Sequence, residues 1–401
     1  MKKKLHPFTL HSRALSALLV AGLSACSRDC KPNGSQRTRS EKAPVARPRA
    51  ADTRPRAADS PPRAPNARHR REEADASWSA GRHTADCTAT ALFPVLTDGR
   101  WGYIDRTGKL AIPARFEDAR QMDQGLAPVR RDGRWGFIDA EGKWAVPARY
   151  ELVSGFSQGR APAKSPTTKR WGYVSRSGEW AISPAFLWAR SFSEGVAPAK
   201  IPSGKAGETT ASGHRWGFVD LEGEFVIPPR FHDAHPFSEG LARVWRAGKW
   251  GFIDKKGEVA VRARFLQAHD FSDGLAAVWA RSGWGHVAPT GFPVIPLRHQ
   301  NVGDFSQGLA PIQVAGRWGF VNKEGKVVIE PRFDGAWTFS RGLARVALRG
   351  SKGFVDKQGQ VVIAPRFMEA SPFCAGLALV LTEEGYGYID RKGRYVWKPR
   401  R

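Results

Sequence analysis

Nine Gly residues recur on one period through the C-terminal three quarters of the chain: Gly102, Gly136, Gly172, Gly217, Gly251, Gly285, Gly319, Gly353 and Gly387. The intervals between them are 34, 36, 45, 34, 34, 34, 34 and 34 residues. A chain repeating at this period folds as stacked units, each unable to bury its apolar surface alone. That constraint outweighs any single motif. Trp precedes the Gly in seven units (Trp101, Trp135, Trp171, Trp216, Trp250, Trp284 and Trp318), while Lys352 and Tyr386 replace it in the last two.

Each unit holds three strand-type runs separated by turn signals. The first has the form Leu-Ala-x-Val, as at Leu241 to Val244. In the second, Trp250, Phe252 and Asp254 share one face while Gly251 and Ile253 share the other. The third is short, apolar and β-branched, as in Val327-Val328-Ile329. Between the second and third runs lies Asp-x-x-Gly, for example Asp139 to Gly142, which predicts a hairpin built on a type I turn. The Gly after Trp predicts close approach of a neighbouring backbone or ring. With 42 Gly and 28 Pro in 401 residues, a long-helix bundle is excluded. The expected fold is all-β, a nine-unit array of three-stranded meanders over residues 91–401.

The ordered recurrence of Trp-Gly-aromatic-Ile/Val-Asp, an apolar run, Arg-Phe and Phe-Ser-x-Gly resembles the bacterial WG repeat family. The resemblance covers roughly residues 91–401 and implies a β-repeat architecture with little functional guidance. The unit around Gly285 departs most, with Ala288 in place of Asp and Leu297-Arg298-His299 where Arg-Phe is usual.

Closure of the array is the open question. A ring sealed by splitting one unit between the chain's two ends would show a broken phase. Here whole units run in phase from about Leu92 to about Trp397, which favours an open superhelix, with a propeller-like ring as the alternative. Cys87 lies just before the first unit and Cys374 in the eighth. A ring would let them approach and bridge in an oxidising compartment; an extended superhelix would not.

The N-terminus reads as a targeting segment. Lys2, Lys3, Lys4 and Arg13 precede the apolar run Ala14–Leu23, which is too short for a membrane span of about 20 residues. Leu23-Ser24-Ala25-Cys26 resembles the lipobox of bacterial lipoproteins, which implies a signal peptide over 1–25 and acylation (palmitate among the chains) at Cys26. Ser27 after the Cys, by the same resemblance, favours the outer membrane. Residues 26–90 read as a lipidated terminus and an Arg/Ala/Pro-rich disordered tether, since strong apolar residues are almost absent. Signal and tether account for ten of the 25 net positive charges, leaving a moderately basic repeat region.

No catalytic motif is present, and neither a metal nor a cofactor is expected: there is no His-Glu-x-x-His, Gly-x-Ser-x-Gly, P-loop or dinucleotide fingerprint. His232 and His235 form the only close His pair, short of a zinc ligand set. The recurring Asp (Asp105, Asp139, Asp220, Asp254, Asp356, Asp390) and Arg (Arg115, Arg149, Arg230, Arg264, Arg332, Arg366) are expected to be turn caps and inter-repeat pairs. Aromatic residues outside the shared pattern, Trp188, Trp245, Trp279 and Trp337, are the candidate binding residues. The 45-residue unit's insertion, Ile201 to Gly213, is a projecting small-residue loop; such insertions often map to a binding face, but tolerated drift is the favoured account of this one. The function expected is a non-enzymatic envelope lipoprotein, periplasm- or surface-facing, held to the membrane by its lipid. Its array would act as a scaffold for protein partners or, alternatively, bind cell-wall or other anionic glycan. No nucleic acid is expected as a partner.

Overall fold

The computed structural model of the protein describes residues 92–202 and 214–398. The signal segment, Cys26, the tether, Cys87 and nearly all of the insertion lie outside them. The described residues form nine antiparallel sheets, each a consecutive meander, arranged as the blades of a β-propeller. Blade 1 comprises Phe93–Thr97, Arg100–Ile104 and Leu110–Phe116. The other eight have four strands, because a short strand following the Arg-Phe of one unit pairs with the next unit. Blade 5 is representative: Asp233–Ala234, Ala242–Arg246, Lys249–Ile253 and Val259–Phe265. The expected three-stranded unit is therefore completed by its predecessor.

Three turns set the blade. The tip between the first long strand and the Trp-Gly strand carries two residues at positive φ, such as Ala247 (49°) and Gly248 (76°), the requirement of a primed hairpin turn. The Phe-Ser-x-Gly turn repeats this at Glu239 (56°) and Gly240 (81°). At the Asp-x-x-Gly turn the Asp caps the backbone: Asp254 Oδ1 accepts from Lys256 N–H (3.0 Å) and Glu258 N–H (2.8 Å). The alternating strand directions place the hairpin tips at one end of the ring. The Asp-x-x-Gly and Phe-Ser-x-Gly turns lie at the other. The Trp-Gly glycine is required by contact within the blade: a Cβ on Gly251 would lie 2.6 Å from Ala263 N and Val261 O on the adjacent strand.

Blades bury their faces against each other. Phe252, Val261 and Phe265 of blade 5 pack against Ala268, Phe271, Ala276, Val278 and Val287 of blade 6. Polar latches reinforce this contact around the ring. The recurring Arg donates through Nη2 to the Gly carbonyl of the next blade's Asp-x-x-Gly turn, or of the Ser175 and Ala288 turns in its place, at 2.5–2.6 Å, from Arg115, Arg149, Arg230, Arg264, Arg332 and Arg366. The recurring Ser donates to the next blade's Phe carbonyl at 2.7–3.0 Å, from Ser157, Ser193, Ser238, Ser272, Ser306 and Ser340.

The ring closes, where in-phase ends had favoured an open array. Among the described residues closure uses no shared sheet, so the phase of the repeat is undisturbed. Blade 9 meets blade 1 through Phe93, Val95, Ile104, Leu377 and Tyr388. The Phe93 and Tyr388 rings lie 5.4 Å apart, and Tyr388 O–H donates to Pro94 O at 3.0 Å. Cys374 is disulfide-bonded, and its partner lies outside the described residues.

Two outcomes check this description. Non-reducing peptide mapping is expected to find Cys374 joined to Cys87, which directly precedes blade 1; a bond to Cys30 or to a second chain contradicts it. The turn at Ala288 keeps the backbone bonds of its siblings, with Ala288 N to Phe292 O at 2.9 Å and Gly291 N to Ala288 O at 2.8 Å, but lacks the capping oxygen. Ala288→Asp is therefore expected to stabilise the protein by about 1 kcal/mol in denaturant titration.

Candidate functional site

The repeated columns are structural, so a candidate site must lie where one blade differs from another. The recurring Asp, like Asn322 in the same column, accept from their own turns (Asn322 Oδ1 from Lys326 N–H, 2.9 Å). Thr107, through its hydroxyl, and the Thr107 and Lys109 amides hold the Asp105 carboxyl below the usual range. The matching Arg are spent on the inter-blade latch. Both assignments agree with the sequence expectation.

The asymmetric feature is a buried polar cluster across blades 4–7. It is carried by the short strands, the connections after them, and one residue of a first long strand. Arg190, 1% exposed, donates to Ala234 O and to Asp233 Oδ1 (2.7 Å), with its guanidinium 4.3 Å from the Trp216 ring. Burial pushes this guanidinium down to about 10, against the opposing pull of Asp233. In the next blade Arg243 donates through Nε to Asp270 Oδ1 (2.7 Å), through Nη1 to Ala268 O, and through Nη2 to His235 Nδ1 (2.7 Å). A guanidinium only donates, so His235 Nδ1 accepts and the proton sits on Nε2. His269 and Asp304 pair at 2.8 Å one blade further on. Arg190 and Arg243 deliver a cation to the same place from different positions, each reaching a short-strand Ala carbonyl of the next blade. Arg120 and Arg345 repeat the move at Val153 O and Ala370 O. The cluster is thus a cation-filled variant of the inter-blade latch, with both Nη groups of Arg190 and all three nitrogens of Arg243 bonded inside the protein.

This cluster lies outside the motifs that the sequence displays. Its signal was present: Arg243 occupies a column held by Pro128, Pro162, Pro198 and Pro311, and Asp270 and Asp304 stand where Gly155, Ser191 and Pro236 stand in other blades. The His232/His235 pair does not converge, because His232 is exposed while His235 is buried against Arg243.

The four candidate Trp do not form one row, and all are half-buried. Trp245 and Trp279 share a position in blades 5 and 6, opposite Trp250 and Trp284. Their rings lie against those partners at 5.3 and 6.2 Å. Trp188 sits in a short strand, 5.2 Å from Trp171. Trp337 lies two blades beyond Trp279, beneath Arg345 at 4.0 Å. Trp188, Trp245 and Trp279 thus fall in adjacent blades 4–6, towards the end that carries the hairpin tips.

His286 gives the clearest pH signature. It occupies the column of Tyr103, Tyr173 and Phe252, and its Nε2–H donates to Gly303 O at 2.8 Å, as the Tyr103 and Tyr173 hydroxyls donate to Arg120 O and Arg190 O. Burial pushes the imidazole down to about 4 from an ordinary 6.5, opposed by the Gly303 bond and Asp304 and assisted by His269 and His299. The unfolded chain therefore binds the proton more readily between those values. Stability from this group is complete above pH 6.5 and is lost as pH falls towards 4, by on the order of 2–3 kcal/mol. His286→Tyr is expected to keep the bond to Gly303 and to remove that part of the acid sensitivity. Unfolding curves at pH 7 and pH 4.5 check this; an unchanged pH difference contradicts it.

Comparison with known proteins agrees with the fold. The WG containing repeat matches residues 101–135, 135–165, 171–204, 216–249, 250–278, 289–318, 318–350 and 353–384. Among curated proteins none matches the sequence. A solved structure described as a crystal structure of the eukaryotic initiation factor is similar with TM-score 0.55 and 11% identity, over 77% of this chain and 96% of that one. The dihydro-heme d1 dehydrogenase NirN is matched at TM-score 0.41 and 11% identity, over 78% of this chain and 73% of that one, too distant to carry an argument. The first similarity speaks to the propeller alone. The repeat matches span more than half of the sequence, in the order of the blades, and the chain belongs to the WG-repeat family.

Proposed function

We propose that this chain is a bacterial, lipid-anchored envelope protein whose ring is a non-enzymatic binding scaffold for protein partners. One observation carries the scaffold reading: the recurring polar side chains are engaged in turn caps and inter-blade latches. The side chains that vary from blade to blade therefore remain to distinguish partners. A repeat array of this kind suits binding over a broad surface. The polar cluster of blades 4–7 supports the non-enzymatic reading, since its guanidinium donors are directed at carbonyls and carboxylates of neighbouring blades. The anchor rests on the N-terminal sequence, where the Lys-rich start, the apolar run and Leu23-Ser24-Ala25-Cys26 stand in lipobox order. Ser27 supports an outer-membrane destination, facing the periplasm or the surface.

Binding of an anionic glycan is the second reading, favoured by the half-buried Trp245 and Trp279 beside the exposed Arg246 and Arg281. Those indoles lean on Trp250 and Trp284, which weakens it.

In-cell crosslinking with mass spectrometry separates the two. A single stoichiometric protein partner is expected; retention on purified cell wall, lost in high salt and without a protein partner, would establish the glycan reading instead. Cys26→Ser is expected to release the chain from the membrane fraction, and a variant that stays anchored refutes the lipid assignment.

A further inference from the structure

The turn of blade 6 that stands in the Asp-x-x-Gly position differs from its siblings. It reads Ala288-Pro289-Thr290-Gly291-Phe292-Pro293 and carries no charge. In every other blade the residue after the turn Gly is charged or an amide, Glu258 and Lys326 in the flanking two. Here it is Phe292, 73% exposed, the most exposed large apolar side chain among the described residues. The turn is firmly seated. A Cβ on Gly291 would come within 2.8 Å of Val261 Cγ1 in blade 5, and Arg264 Nη2 donates to Gly291 O at 2.6 Å. Both contacts are made by the glycine, so neither calls for an aromatic at 292. Val259, Val294 and Val327, near the starts of the third strands of blades 5, 6 and 7, add exposed apolar surface at the same end.

Charge changes across this turn. Onward from it, the matching turns of blades 7, 8 and 9 carry six cations, Lys323, Lys326, Lys357, Arg391, Lys392 and Arg394, against three carboxylates, Glu324, Asp356 and Asp390. In the other direction, the blade 4 turn from Asp220 to Glu224 carries three carboxylates and no cation. The point of chain entry bears on the same end. The first long strand of blade 1 runs from Phe93 to the hairpin tip at Asp98-Gly99, so Phe93 lies at the end opposite the tips. The segment leading from Cys26 therefore joins the ring at the end that presents Phe292.

We propose that this end of the ring, from blade 6 to blade 9, rests on a lipid surface, with Phe292 entering the headgroup layer and the Lys and Arg of blades 7–9 facing lipid phosphates. The inference rests on the lipid-anchor reading. Apolar and aromatic side chains settle into the boundary between headgroups and acyl chains, and cations are drawn to anionic headgroups within a Debye length. One aromatic and a few cations bind weakly by themselves. An anchor in the same chain makes this second contact intramolecular, and a weak contact then suffices.

The test uses the full chain, inserted through its anchor into vesicles of phosphatidylethanolamine and phosphatidylglycerol. The photo-crosslinker p-benzoyl-phenylalanine replaces Phe292, or, in a control chain, Asp132 on the blade 2 hairpin tip at the other end. After illumination, mass spectrometry identifies what each position has captured. Lipid adducts are expected at 292 and few or none at 132. Adding Lys323→Glu, Lys326→Glu and Lys392→Glu is expected to lower the yield at 292 roughly fivefold or more. No lipid adduct at 292, an equal yield at 132, or an unchanged yield in the triple variant overturns the proposal. So does capture of a protein in place of lipid by the 292 probe in living cells, which would assign the turn to a protein partner. The two readings fail separately. A Cys26→Ser chain that stays in the membrane sinks the anchor; a chain anchored through Cys26 that gives no lipid adduct at 292 sinks this inference alone.

Discussion

The structure depends on the contact between one blade and the next. A single four-stranded meander of this length has two apolar faces and is marginal alone. Each face here is covered by the adjoining blade, and the polar groups exposed at that junction are met in register. The Arg of one unit reaches the turn Gly of the next, as Arg230 does at Gly257. That Gly (φ +81°) is forced twice, by its left-handed backbone and by Arg230 Nη2 lying 2.9 Å from where a Cβ would be. The Ser of one unit reaches the Phe carbonyl of the next. Each such bond is worth only about 1 kcal/mol, yet the geometry recurs around the ring and fixes the rotation between blades.

A ring imposes a requirement that a stack does not: the last junction must be as well made as the others. Blade 1 lacks a lead strand among the described residues, and the seam uses different groups. Phe93 occupies a column that holds Ala127, Ala161, Ala197, Ala242, Ala276, Ala310, Ala344 and Ala378 elsewhere. Its ring meets Tyr388, where other blades bring in the Phe of Phe-Ser, as Phe271 meets Phe252 at 4.8 Å. Cys374 occupies the column of the latch Ser and is disulfide-bonded. Among the described residues, side-chain packing thus stands in place of the strand exchange that closes a ring split between its ends.

These two departures show what was legible in the sequence. Fold class, unit count, strand order within a unit, the Asp caps and the Arg pairing all follow from turn chemistry and a two-residue alternation, which are local. Closure is not local. It is encoded in Phe93, which breaks a column and packs on Tyr388, whereas the phase of the units, which favours an open array, is silent about a ring joined by packing. The fourth strand was hidden for a similar reason: Asp233-Ala234 is too short to register as a strand until it has a partner in another unit. The polar cluster at Arg190, His235, Arg243 and Asp270 was missed because its members come from different units, and only the ring brings them together.

For function, the consequence is a division of labour. The frame is made of repeated residues whose polar groups face each other across blades, and much of the variation falls in the tips, the short-strand connections and the insertion before Gly217. All of this assumes that blade 9 sits beside blade 1. The most direct test is a pulsed-dipolar distance between spin labels placed through unnatural amino acids at Asp98 and Glu383, on the hairpin tips of those two blades. A closed ring gives a separation like that between labels at Asp98 and Asp132 on neighbouring blades. An open superhelix would make the Asp98–Glu383 separation the longest of any pair of tips, and that result would contradict the account.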